Sequence, residues 1–248
     1  MIKQVRFSKS VKFFKPGFCK YWDVVDYHDV NAPCLFVGVY NMDDVAVLNA
    51  HKGLKIIWQT GSIKSCFSKV SPVNAVVKLK SVDKKEYESI KKVFKTKEAY
   101  FPIKDFSGFT KPVPLGNKIY CYLGHKKGRA VMGGALIDEI KKYVPFEIIE
   151  GYLGHDMEYV KEHYYNHCFV NIKPNVSGGF TTATELAYMG RWTISNANAP
   201  FCKPYDTILD IVKLIFEESE KIGTIQPSCV GDLFDTGKEW KNEEFWTT

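Results

Sequence analysis

The sequence predicts an α/β protein of two doubly wound domains facing a cleft, with the N-terminal domain shortened. Two observations carry that expectation. Continuous apolar runs of strand length alternate with helix-like segments, the pattern of parallel strands covered on both faces. Near the middle, "KDFSGFTKPVPLGN" (104–117) holds two prolines and two glycines without periodicity and reads as a linker, after which the alternation restarts. The expected domains are therefore 1–110 and 111–225, followed by a tail, 226–248.

In the first half, "CLFVGVY" (34–40) is a continuous apolar run suited to a buried strand. "NMDDVAVLNAHKG" follows as a short helix, with acids near its start and Gly53 as its stop. "LKIIWQTGS" is a second buried strand ending in a Gly-Ser turn, and "NAVVKLKS" is a third. Asp83 then caps the helix "KKEYESIKKVF", and "EAYFPI" (98–103) is the last strand of this half. Beyond the linker, strands are expected at "KIYCYLG" (118–124), "FEIIEGYL" (146–153), "CFVNIKP" (168–174) and "WTISN" (192–196). Helices are expected around 131–143, 156–166, up to Tyr188, and over 206–220. The tail carries Phe234, Trp240, Phe245 and Trp246, too apolar for a free end, and is expected to pack back on the body.

Composition excludes several classes. Hydrophobic residues at 45% and charged residues at 25% belong to a globular protein with a proper core. No run of about eighteen apolar residues marks a transmembrane segment, and the start "MIKQVRFSKSVKFF" lacks the apolar stretch of a secretory signal. Seven scattered cysteines without a CxxC point to a reducing cytoplasm. There is no GxxxxGK[ST] loop and no GxSxG, which disfavours an ATPase and a serine hydrolase of that type. The net charge of +6 is unevenly placed: residues 1–115 carry 20 Lys/Arg against 10 Asp/Glu, and the remainder 14 against 18. A basic first half suits a polyanionic partner, and solvated lysine-rich helices would read the same way.

Two loops in the second half suit phosphate. In "YLGHKKGR" (122–129), Gly124 ends a strand and Lys126, Lys127 and Arg129 crowd the turn that follows. In "SGGFTTATELAYMG" (177–190), Gly178 and Gly179 let backbone approach a ligand, and Thr181 and Thr182 stand at a helix start whose free N–H groups favour anions. Glu185 shares a face with that start. The plainer readings are a basic surface turn and a capping box between Thr181 or Thr182 and Glu185.

Taken together, the order and spacing of these loops resemble the nucleotide-sugar domain of the two-Rossmann-domain (GT-B) glycosyltransferases. The matching positions are Gly124, Lys126, Lys127 and Arg129, then Gly179, Phe180, Glu185, Gly190 and Ile194. "AYFPIKDF" resembles that family's passage between domains, and the likeness spans residues 98–215. The resemblance implies two Rossmann-like domains and a nucleotide-diphosphate sugar as co-substrate. Gly124, Lys126, Lys127, Arg129, Gly178, Gly179, Phe180, Thr181 and Thr182 would then hold the donor, with Glu185 on its ribose. No metal or cofactor is required, because basic residues and a helix terminus can stabilise the leaving diphosphate. Ser177 departs from the pattern: it stands where members with paired glutamates carry the first, leaving the sugar and the stereochemical outcome open.

His163 and His167 lie four apart beside His155, Asp156, Glu158 and Cys168, a weak metal signal without HExxH. For a general base on an acceptor hydroxyl, the first half offers Asp29, in "DVVDYHDVNAP", and Asp43, just beyond the first buried strand. The basic first half makes DNA the favoured acceptor, as in the compact transferases that decorate hydroxymethylated bases in viral DNA. Trp22, Tyr27 and Trp58 would assist a flipped base. A lipid or polysaccharide acceptor at a membrane surface, a non-catalytic nucleotide- or nucleic-acid-binding module, and another two-Rossmann enzyme such as a sugar-nucleotide epimerase are the alternatives.

Overall fold

The computed structural model describes residues 1–59, 64–71, 73–78, 88, 90–174 and 180–248. It divides into two compact units. Met1–Asp105 and Asp232–Thr248 form the first, and among the described residues 106–174 and 180–231 form the second.

The first unit is a parallel sheet of six strands: β1 (Gln4–Phe7), β2 (Val25–Asp26), β3 (Cys34–Val37), β4 (Lys55–Gln59), β5 (Ala75–Lys78) and β6 (Thr96–Lys97), in the order β2-β1-β3-β4-β5-β6. β1 carries little sequence signal, because "QVRF" is four residues of alternating character inside a lysine-rich stretch. The strand expected at "EAYFPI" does not form. Pairing occurs at Thr96–Lys97 instead, and Pro102, which has no N–H to donate, ends any further ladder. Ala99 and Phe101 enter the core from irregular chain. The helix start expected at Asp83 lies outside the described residues.

Both faces of this sheet are apolar. Val5, Phe7, Leu35, Val37, Ile56 and Trp58 pack with Phe18 of helix α1 (Lys15–Trp22) on one side. Cys34, Phe36 and Ile57 pack with Val45 and Leu48 of α2 (Met42–Ala50) on the other. The C-terminal segment completes the first layer. Trp240 and Trp246 are 0% exposed, Trp240 stacks on Phe101 at 5.0 Å between ring centroids, and short helix α7 (Glu244–Thr247) ends the chain.

The second unit is a five-stranded parallel sheet of β7 (Lys118–Gly124), β8 (Ile148–Tyr152), β9 (Cys168–Ile172), β10 (Trp192–Ile194) and β11 (Cys202–Lys203), ordered β11-β10-β9-β7-β8. β11 sits in the proline-bearing loop, where two residues were too few to signal a strand. Helices α3 (Gly134–Ile140) and α6 (Ile208–Ser219) cover an apolar face of Ile119, Cys121, Leu123, Phe169, Ile172 and Ile194. α6 is fixed at its start by a capping box of Thr207 and Asp210.

The opposite face is polar. Tyr120, Asn171 and Thr193 are register partners and so point the same way, and Asn171 Nδ2 donates to Thr193 Oγ1 at 3.0 Å. Helix α5 (Thr181–Tyr188) contributes Glu185 to this side. Residues 113–116, read as linker, are tied into this unit. The buried Arg191 donates to the carbonyls of Val113 and Pro114, and Leu115 N donates to Thr224 O.

Counted within each unit, both sheets follow the order second, first, third, fourth, fifth, and the first adds a sixth strand at its edge. The connections leaving the first strand diverge there, which opens a crevice at the carboxyl ends of β1 and β3, and of β7 and β9.

Candidate functional site

In the second unit the crevice is bordered by the turn after β7 and the chain after β9. Gly124 has φ +69, a left-handed conformation that costs glycine nothing. The chain then makes a 3-10 turn, Lys126–Gly128, leaving His125, Lys126 and Lys127 exposed. Lys126 Nζ lies 5.9 Å from the Tyr152 ring centroid. Further on, Gly133 has φ +95, and a Cβ there would meet Pro174 Cβ at 2.4 Å. The absence of a side chain at Gly133 thus lets the two loops touch. Lys173, the residue after β9, joins them: its Nζ is 5.2 Å from the Phe180 ring centroid, and burial pushes its ammonium down to about 8. Lys173 escaped the sequence reading. The available signal was a lysine ending an apolar strand, "CFVNIKP", at the carboxyl end where ligands bind.

Arg129, expected among the donor-binding residues, is paired with two carboxylates. Its guanidinium donates to Glu150 at 2.9 and 2.8 Å and to Asp138 at 2.8 and 2.6 Å. Lys141 Nζ and Tyr152 OH also donate to Glu150. The hydrogen bonds from Arg129 above all, against the opposing effect of burial, hold the Glu150 carboxyl well below its usual range. Two carboxylates already occupy the fork that was expected to take a diphosphate, whereas Lys126 and Lys127 are exposed in the turn after β7 and Lys173 follows β9 directly.

The helix start after "SGGF" also differs from expectation. Ser177, Gly178 and Gly179 lie outside the described residues. α5 begins at Thr181 with Phe180 as its cap residue and no side-chain cap bond, so Thr181 and Thr182 are inside the helix and form no capping box with Glu185. Glu185 is 1% exposed and accepts from Tyr165 OH at 2.6 Å. Thr182 in turn bonds to Tyr165, whose phenol is pushed well above its ordinary value by burial and then by the Glu185 charge. Tyr120 packs edge-on against Tyr165 at 5.3 Å, and a Cβ at Gly151 would lie 2.0 Å from its hydroxyl. Glu185 therefore anchors a buried tyrosine cluster beneath the α5 terminus.

In the first unit the corresponding crevice is filled. Asp44 is 3% exposed and accepts from Ser8 Oγ at 2.6 Å, Arg6 Nη1 at 2.9 Å and Tyr40 N at 3.1 Å. Burial alone would raise its carboxyl, but these bonds outweigh burial and hold it below the ordinary value. Asn41 caps α2 by accepting from Asp44 N, so Asp43 is no cap. It stands exposed in the first turn of α2, on the carboxyl side of β3.

Asp29, offered as a general base, has a structural role. Its Oδ1 accepts from Asn31 N at 2.8 Å, and its backbone is gripped by the side chain of Gln4, the first residue of β1. That is the amino-terminal end of the sheet, away from the crevice. The aromatics proposed for base flipping are also committed. Trp58 is buried, Trp22 packs on the core and donates to Pro102 O, and Tyr27 lies against Phe36 and His51. His163 ends helix α4 (Met157–His163) while His167 belongs to a separate 3-10 turn, so they share no helix face. Among the described residues no group of three or more His, Cys, Asp or Glu is placed to hold a metal, and no helix is long and apolar enough to cross a membrane.

No protein-family model matches the chain, and no curated protein matches it.

Proposed function

We propose that the protein is a nucleotide-sugar-dependent glycosyltransferase whose second unit holds the donor. The observation that carries this reading is the carboxyl end of β7 and β9 in a doubly wound sheet, where a left-handed glycine turn with the exposed Lys126 and Lys127 follows β7 and Lys173 follows β9. Such a site suits a diphosphate: flexible ammonium groups meet phosphate oxygens, and an anion beside the part-buried Lys173 favours its charged form. In the transfer, the bond from the sugar's anomeric carbon to the diphosphate oxygen breaks and one to an acceptor hydroxyl oxygen forms. The hydroxyl proton passes to a base, and the nucleoside diphosphate leaves with the electron pair. The basic first unit supports a nucleic-acid acceptor carrying such a hydroxyl, a hydroxymethylated base in DNA being the favoured one. The commitment of Arg129 to Asp138 and Glu150 favours a second reading, a nucleotide-binding module without transfer.

Calorimetric titration with nucleoside diphosphates tests the site. Lys126→Ala combined with Lys127→Ala should weaken binding roughly tenfold, whereas Arg129→Ala should leave affinity nearly unchanged. Wild-type affinity should fall as pH rises through about 8, where Lys173 loses its proton, and Lys173→Met should flatten that profile. Incubation with labelled nucleotide sugars, with and without hydroxymethylated DNA, then separates the readings: binding without hydrolysis or transfer of any donor leaves only the module.

A further inference from the structure

Residues 1–22 contain six Lys or Arg and no Asp or Glu. Two of these cations are committed, Arg6 to Asp44 and Lys15 to Asp26. Lys9 and Lys12 are exposed and have no ion pair among the described residues. They belong to the 3-10 segment Lys9–Phe14 that follows β1 and Ser8 directly, at the mouth of the first unit's crevice.

A 3-10 helix has three residues per turn, so side chains at i and i+3 eclipse and six residues form three lines. Val11 and Phe14 make the inner line and pack on the core of the first unit. Lys9 and Lys12 form a second line about 6 Å apart along the axis. Ser10 and Phe13 form the third, and Phe13 is 72% exposed, its ring 4.2 Å from that of Phe14, which backs it. A phenylalanine on that third line gains nothing in the isolated unit, since burying it would be worth about 2 kcal/mol.

We infer that this ridge grips an unpaired nucleic-acid strand, with Lys9 and Lys12 on consecutive phosphates and Phe13 under a base. Charge complementarity favours that occupant. A lone ring beside two ammonium groups matches base stacking next to a phosphate backbone. A bilayer would call for a broader apolar face, and the exposed neighbours here are Ser10, Pro16 and Gly17. The ridge deepens the reading above: its role as the acceptor's landing place rests on that reading, while the binding itself does not.

Fluorescence anisotropy with a labelled single-stranded oligonucleotide over a salt series, without any nucleotide sugar, tests it. For Lys9→Ala combined with Lys12→Ala, the slope of log affinity against log salt should fall by about 1.4, the share of two phosphate contacts on a single strand. Phe13→Ala should weaken binding roughly tenfold with the slope unchanged. Circular dichroism checks that these surface variants fold. Oligonucleotide binding that is absent, or identical in all variants, overturns the inference. So does sedimentation with phosphatidylserine vesicles in place of oligonucleotide binding, which would assign the ridge to a membrane. Ridge-dependent binding with no use of any nucleotide sugar would sink the transferase and keep the ridge. Nucleotide-sugar use with ridge-independent binding would do the reverse.

Discussion

The two units share one strand order but have opposite interiors. In the first, both sheet faces are apolar and the crevice is closed by Asp44 with Ser8 and Arg6. In the second, only the face under α3 and α6 is apolar, the other carries Tyr120, Asn171, Thr193, Tyr165 and Glu185, and basic loops border the crevice. In the first unit the buried polar groups Ser8 and Asp44 satisfy one another at the carboxyl end of β1. Where half the sheet is polar, each buried donor needs a partner, and that network reaches the terminus of α5 beside the crevice.

The largest break in this comparison should come from the aromatic interior. Trp240→Ala removes a fully buried indole from the first unit and should cost about 3–5 kcal/mol in urea denaturation. A loss below about 1 kcal/mol would show that the C-terminal segment is no part of that core. Glu185→Ala should be milder, about 1–3 kcal/mol, because it strands the Tyr165 hydroxyl. Tyr165→Phe in the same background should recover part of that loss, and strictly additive effects would refute a network on the polar face. The smallest effect is a pH dependence in the first unit. The Asp44 carboxyl is held below its ordinary value, so its stabilisation is complete above about pH 4, the unfolded value, and drains away as pH falls through the folded one. Asp44→Asn should remove that portion of the acid sensitivity, and an unchanged stability profile would show the plug carries none of it.

Most of the elements were legible because parallel strands buried on both sides are written as unbroken apolar runs: "CLFV", "KIIWQ", "KIYCYLG" and "CFVNI" all form strands. β1 and β11 were not, since four and two residues carry too little pattern. At the candidate site, Gly124 and the lysines after it follow from a basic glycine turn ending a strand. Lys173 was hidden by its position at the close of an apolar run.

Local sequence by itself determined which segments become strand or helix, where glycine must take a left-handed turn, and that the positive charge lies in the first half. Those properties rest on backbone sterics, side-chain period and formal charge, which need no partner distant in sequence. Only the tertiary structure decided which charges remain available for binding. Arg129 and Lys126 look alike in "GHKKGR", yet Arg129 is met by Asp138 and Glu150 while Lys126 stands exposed. Asp43 and Asp44 are neighbours, and one is solvated while the other plugs a crevice. Pairing depends on what the fold brings within about 3 Å, and that proximity is a property of packing between segments rather than of either segment alone.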